Sequence, residues 1–190
     1  MKYALLGDLH SHKEDTQSVL EHIDATASSA IRIGLGDLFE CTISKKKAHK
    51  KQSLPLHVAA KLPYDFIQLL DFPSIIGNQE LRIMQVTGQT LFESLPETME
   101  IEGALLIHGH QFEWLDDVTP VIKKNSEPLT FLGHSHHSAL FHKGITQPFK
   151  WNEPIHLTKK RYAINVGSVI FHREWCLYDA DQRTITFMKV

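Results

Sequence analysis

Three observations predict an α/β fold with two β-sheets packed face to face and helices outside. The chain opens with a strand, an amphipathic helix and a second strand, the order of a βαβ unit. Short apolar runs recur along its 190 residues, and several end in Gly-Asp, Gly-Asn or Gly-His. The first half mixes helices with strands, whereas the second half is mostly apolar or alternating runs of strand length.

In order, residues 3–6 are a short apolar run before Gly7-Asp8 and read as a buried strand. Residues 14–30 place Val19, Leu20, Ile23 and Ala27 on one helical face. Residues 31–35 form a second buried strand, again closed by Gly-Asp. Lys45, Lys46, Lys47, Lys50 and Lys51 then make a basic stretch. It reads as a solvated loop or helix end, the alternative being a rim that attracts phosphate. Residues 55–71 read as mostly helical with a break at Pro63. Residues 72–76 read as a third strand before Gly77-Asn78, and residues 88–95 as a helix. Residues 98–107 form a hairpin about Gly103 whose second arm delivers His108. Residues 129–132 are a buried strand delivering Gly133-His134. Residues 139–141, 162–166, 175–178 and 184–188 read as strands, with a loop or irregular hairpin over 147–160.

The totals fit one domain over residues 1–190. Hydrophobic residues make up 42%, charged residues 22%, and the net charge is -2, which argues against disorder and against a large nucleic-acid surface. Cys41 and Cys176 are too far apart for a zinc cluster or a disulfide framework and read as small buried hydrophobes. The opening apolar stretch ends at Gly7-Asp8, too short for a signal-peptide core. No run approaches the roughly 20 apolar residues of a membrane span. The expectation is a cytoplasmic protein without a membrane partner; the oligomeric state is left open.

Chemistry concentrates in five pieces: Gly7-Asp8-Leu9-His10, Gly36-Asp37, Gly77-Asn78-Gln79-Glu80, His108-Gly109-His110 and Gly133-His134-Ser135-His136. Each sets a hard oxygen or an imidazole just behind a short apolar run. In α/β sheets ligands bind beyond the carboxyl ends of strands, so these loops converge at one sheet edge. Asp8, His10, Asp37, Asn78, His108, His134 and His136 are too many for one tetrahedral ion. They suit two divalent ions with a bridging carboxylate. The mixture of carboxylate and imidazole suits manganese, iron or zinc better than magnesium or calcium alone; the expectation is manganese, with iron, zinc, nickel and magnesium as alternatives.

The order Asp-x-His, Gly-Asp, Gly-Asn-x-Glu, His and Gly-His-x-His, running from Gly7 to His136, resembles the calcineurin-like metallophosphoesterase superfamily. Tyr162-Ala-Ile-Asn165-Val-Gly167-Ser168 also resembles the Asn-Pro-Gly-Ser segment of its small bacterial phosphodiesterase branch, with Val166 in place of proline. The resemblance implies a four-layer αββα sandwich of two mixed sheets flanked by helices. It implies that Asp8, His10 and His136 hold one metal, that Asn78, His108 and His134 hold a second, and that Asp37 bridges them. It further implies in-line attack on phosphorus by a hydroxide shared between the metals.

One position departs from the family pattern. Gln79 stands where a histidine assists the leaving oxygen. An amide donates a hydrogen bond but is no general acid near neutral pH. The small bacterial branch commonly lacks this histidine too. Catalytic and substrate-binding roles therefore fall to Asn78, Gln79 and His110. His12 and His137 are weighed as phosphate contacts or ligand supports against polar loop residues. Glu80 is read as a loop brace. Trp114, Phe149 and Trp151 read as packing residues, with stacking on an aromatic leaving group as the alternative. Arg161 and Arg173 read as salt-bridge formers rather than phosphate clamps. His22, His49, His57, His142, His156 and His172 read as surface or satisfied core residues.

The expectation is an enzyme, a dinuclear phosphodiesterase acting on a small phosphorylated substrate such as a nucleotide. A phosphomonoesterase or nucleotide-pyrophosphate hydrolase is the nearest alternative. A metal-bearing interaction scaffold with little turnover is the alternative from another class.

Overall fold

The computed structural model describes residues 1–50, 53–122 and 127–190. Two mixed sheets carry the fold. Their strands, in chain order, are β1 (Lys2–Leu6), β2 (Ile31–Gly34), β3 (Thr98–Ile101), β4 (Ala104–Ile107), β5 (Leu129–Leu132), β6 (Ser138–His142), β7 (Ile145–Gln147), β8 (Ile155–His156), β9 (Tyr162–Val166), β10 (Glu174–Asp179) and β11 (Thr184–Lys189). The first sheet runs β8-β11-β10-β1-β2, and the second runs β7-β6-β9-β5-β4-β3. Two helices longer than a turn matter for the site: α1 (Lys13–Ala27) and α2 (Asn78–Thr87).

Strand alternation sorts the core. Tyr3 and Leu5 of β1 face the second sheet and meet Leu106, Leu129, Phe131, Ile164 and Val166. Ala4 and Leu6 face the other way, onto Val19, Leu20, Ile23 and Ala27 of α1 and Ile83 and Val86 of α2. The outer face of the second sheet, through Leu132, Ala139 and Phe141, packs against Phe112, Trp114, Val118 and Ile122. Those residues sit on or beside a short ribbon pairing Glu113–Trp114 with Pro120–Val121.

Strand direction places the site. β1 is parallel to β2. β5 is parallel to both β4 and β9. The loops after β1, β2, β4 and β5 are therefore delivered from carboxyl ends, where α/β sheets bind ligands.

Several local expectations need correction. α1 stops at Ala27, where a turn from Ala30 N–H to the Ala27 carbonyl ends it. Residues 72–76 form no strand, only a bridge between Ser74 and Gly34. The helix expected over 88–95 lies earlier: α2 runs from Asn78 to Thr87 and is capped by Gly88, which adopts the left-handed conformation (φ 69°). Its first turn is secured by Glu80, whose Oε2 accepts from Gly77 N–H at 2.9 Å. Residues 55–71 hold two single helical turns, Leu56–Ala59 and Tyr64–Ile67, separated by the strand Ala60–Lys61 paired with Glu40–Cys41. Residues 147–160 contribute β8 to the sheet edge.

Other expectations hold. Cys41 and Cys176 are buried and free. Phe149 and Trp151 pack on Phe187. Arg173 pairs with Asp15 as expected, whereas Arg161 donates to the main-chain carbonyl of Glu127 rather than to a carboxylate in that bond. Lys45, Lys46 and Lys47 are exposed on a helical turn; Lys51 lies outside the described residues. Among the described residues no helix is long and apolar enough to cross a membrane.

Candidate metal centre

The loops bring the ligand types together as two groups, Asp8 with His10 and His136, and Asp37 with His108 and His134. Within each group the donor atoms lie within 4.8 Å of one another. In the first, His136 Nε2 is 3.2 Å and His10 Nε2 is 3.9 Å from Asp8 Oδ1. In the second, His108 Nε2 is 3.4 Å from Asp37 Oδ2. Asn78 Oδ1 reaches the same nitrogen at 3.3 Å, so all seven sequence-predicted ligands converge. Asp37 Oδ2 is also 3.8 Å from His10 Nε2, which sets this carboxylate between the groups.

The backbone is bent to present these side chains. Asp8 (φ 54°), His10 (48°), Asp37 (50°), His134 (72°) and His136 (62°) all adopt left-handed conformations. Such residues cost on the order of 1–3 kcal/mol each and persist where the surroundings over-determine them. Asp8 Oδ2 accepts from His134 N–H at 2.9 Å, joining the first and last loops. Asp37 Oδ1 accepts from Gln79 N–H at 2.8 Å. A Cβ on Gly77 would lie 2.1 Å from Asp37 N, so only glycine lets α2 start this close.

Supporting contacts choose which imidazole nitrogen is offered. His108 Nδ1 lies 2.7 Å from the Leu35 carbonyl, an acceptor only, so Nδ1 carries the proton and Nε2 is left to a ligand. His10 Nδ1 lies 2.6 Å from Glu40 Oε2, with the same consequence. Glu80 accepts from the N–H groups of Gly77, Asp37 and Phe39 and braces the loop as expected. Asn165 donates to the Gly133 carbonyl at 2.9 Å and to Ser135 Oγ at 2.8 Å, fixing the loop that carries His134 and His136.

The electrostatics describe a strongly negative pocket. Burial alone would raise the Asp8 carboxyl, but the His10 and His136 imidazoles hold it far below the ordinary carboxylate range. Burial also opposes a charged His10, yet Asp8 and Glu40 outweigh it and raise its pKa to about 10. At His108 burial is outweighed chiefly by Asp37, and the pKa rises to about 9. Burial and the Asp37 charge push Glu80 up to about 7. Burial, with His108 and His134 close by, pushes His110 down to about 4.

The residues fit divalent ions. Asp8 Oδ1 and His10 Nε2 are buried with no hydrogen-bond partner, a condition that natural interiors rarely tolerate. A cation between them would satisfy both, and the hard-oxygen and imidazole donor set suits a first-row divalent metal.

The substrate-side candidates divide. His110 stands beside the second group, its ring 5.4 Å from that of His108, with Nδ1 buried and unpartnered. Gln79 Oε1 accepts from Cys41 N–H and Arg82 Nη1, both at 3.3 Å, which anchors the amide to the wall. His12 caps α1 instead, its Nδ1 2.9 Å from Asp15 Oδ2. His137 Nδ1 bonds to the Ser135 carbonyl at 2.7 Å. Trp114 supports the site: its indole donates to the Gly109 carbonyl at 3.2 Å, and its ring lies 5.8 Å from that of His134. Sequence reasoning missed Glu40, which belongs to no motif and meets His10 only because the short strand Glu40–Cys41 packs beside the loop after β1.

The sequence matches the calcineurin-like phosphoesterase superfamily domain over residues 1–183, and the chain belongs to that superfamily. No curated protein matches it significantly. Among solved structures it is similar to a metallophosphoesterase from Sphaerobacter thermophilus, at 18% identity and a TM-score of 0.61, over 100% of this chain and 88% of that one. It is also similar to YfcE, a phosphoesterase from E. coli, at 18% identity and a TM-score of 0.55, over 98% of each chain. At such identities the likeness is one of fold.

Proposed function

We propose that this chain is a dinuclear metal-dependent phosphodiesterase. The observation that carries the reading is the place of Asp37, whose Oδ2 faces His10 at 3.8 Å and His108 at 3.4 Å. One carboxylate thus addresses both ligand groups. Asp8, His10 and His136 would hold one ion, and Asn78, His108 and His134 the other, with Asp37 shared. We propose manganese as the metal and a small phosphodiester as the substrate. Two bound ions supply an acidified water and charge stabilisation at the phosphoryl oxygens.

The chain's own residues supply the rest. Glu40 and the Leu35 carbonyl orient His10 and His108, and Glu80 holds the Asp37 and Asn78 loops together. His110, half-buried beside the second group with its Nδ1 unpartnered, is the candidate hydrogen-bonding partner of the phosphoryl group. Gln79 donates hydrogen bonds but no proton, which favours diesters with good leaving groups over alkyl monoesters. We also take residues 1–190 as one domain acting in the cytoplasm.

The test is a substrate panel with manganese-reconstituted protein, covering aryl and alkyl monoesters, diesters, cyclic nucleotides and dinucleotide polyphosphates. Metal-dependent hydrolysis with diesters preferred supports the proposal. Absence of turnover on every substrate at saturating metal would leave a scaffold role, and a preference for alkyl monoesters would remove the diester assignment.

A further inference from the structure

The loop between β9 and β10 carries a side chain that core packing does not explain. Phe171 is 77% exposed, and its backbone is left-handed, with φ 65°. Isolated exposed hydrophobic residues are ordinary. A bulky aromatic residue in this conformation is not, because its Cβ crowds the neighbouring peptide.

The loop is fixed from both sides. Val169 N–H donates to the Gly7 carbonyl and Ile170 N–H to the Asp8 carbonyl, each at 3.0 Å. Phe171 N–H donates to Asp15 Oδ2 at 2.8 Å, and Arg173 Nε to Asp15 Oδ1 at 2.7 Å. Asp15 is itself buried. Two of these bonds tie the loop to the segment that carries Asp8 and His10. The ring of His12, two residues beyond His10, lies 6.0 Å from that of Phe171. The fold thus holds an apolar ring in water beside the segment that runs from Asp8 and His10 into α1, with an imidazole next to it.

We propose that Phe171, flanked by His12, is an aromatic subsite that takes a planar ring joined through an ester to the substrate phosphate. The inference rests on the phosphodiesterase reading and adds the class of ester arm. Aryl groups and nucleobases share the chemistry that such a platform recognises, since either presents a flat π-face.

The experiment compares native manganese-loaded protein with Phe171→Ala and Phe171→Trp. Binding of adenosine 5′-monophosphate against ribose 5-phosphate, and of phenyl phosphate against methyl phosphate, is measured by calorimetry and needs no turnover. KM and kcat for bis(p-nitrophenyl) phosphate are measured alongside. We expect Phe171→Ala to weaken binding of the ring-bearing member of at least one pair by about tenfold, the lower range of stacking on an aromatic side chain. The ring-free member should be unchanged and Phe171→Trp should retain native affinity. KM should rise while kcat and melting temperature stay near native. The pair that responds identifies the ring as nucleobase or aryl. Equal losses for ring-bearing and ring-free ligands, or no loss for either, would overturn the subsite. Diester turnover with unchanged ring selectivity removes the subsite alone. Lost ring selectivity without turnover removes the diesterase reading and leaves the subsite standing.

Discussion

Glu40 holds His10 by its far nitrogen: Oε2 lies 2.6 Å from Nδ1, while Nε2 points toward Asp8 and Asp37. The carboxylate fixes both the ring's orientation and its tautomer, and its charge makes the imidazole a better donor. Partners of this kind are typically worth about 10–100-fold in metal affinity. Glu40→Gln should lose affinity in that range in a metal-buffered titration. A titration that matches native protein would assign Glu40 a surface role only.

Asp37→Asn tests the sharing of one carboxylate. The substitution keeps the side chain's shape but removes the charge that both groups face. Elemental analysis after manganese reconstitution should fall from about two ions per chain to below one, and diester turnover by more than about 100-fold. Retention of two ions would show that the groups fill independently.

Asp15 gives a pH dependence away from the ligands. Its carboxyl is held below the usual range because, although burial opposes the charge, Arg173 and the Phe171 N–H favour it. A depressed folded-state pKa adds stability above the unfolded value of about 3.9 and loses it as pH falls through the folded value. Asp15→Asn should cost about 1.5–3 kcal/mol at neutral pH, the range for hydrogen bonds to charged groups. The gap between native and variant in denaturant unfolding should narrow below about pH 4. A gap that persists at acid pH would mean that shape rather than charge matters.

Gln79 sets a leaving-group dependence. Without a proton donor there, rate should fall steeply as the leaving group's pKa rises. Gln79→His should selectively raise alkyl monoester turnover, within the roughly 10²–10⁴-fold range of general-acid help, and leave metal content alone. A flat dependence in native protein would move the proton-donor role elsewhere, with His110 the first residue to substitute.

What the sequence made legible follows from how local each signal is. The seven candidate ligands could be read because each stands behind a short apolar run and keeps its order along the chain. α2 was misplaced because Gly77-Asn78-Gln79-Glu80 looks like a loop, and only buried Glu80 turning back on Gly77 N–H makes it a helix start. The strand expected over 72–76 lacks partners beyond Ser74, so an apolar run alone overstated it. Glu40 and Phe171 have no sequence signal at all. Their roles come from contacts with His10 and Asp15 across loops distant in the chain.

Each ligand group draws on both sheets. Asp8 and His10 follow β1 and meet His136 from beyond β5, while Asp37 follows β2 and meets His108 and His134 from beyond β4 and β5. The centre therefore acts as a gauge of how the sheets are seated on each other. Ligand positions tolerate about 0.5 Å of error, so a slip along the Leu5–Phe131 seam would spoil both groups at once. Repacking that seam, which holds no candidate ligand, becomes a way to tune metal affinity from behind the site.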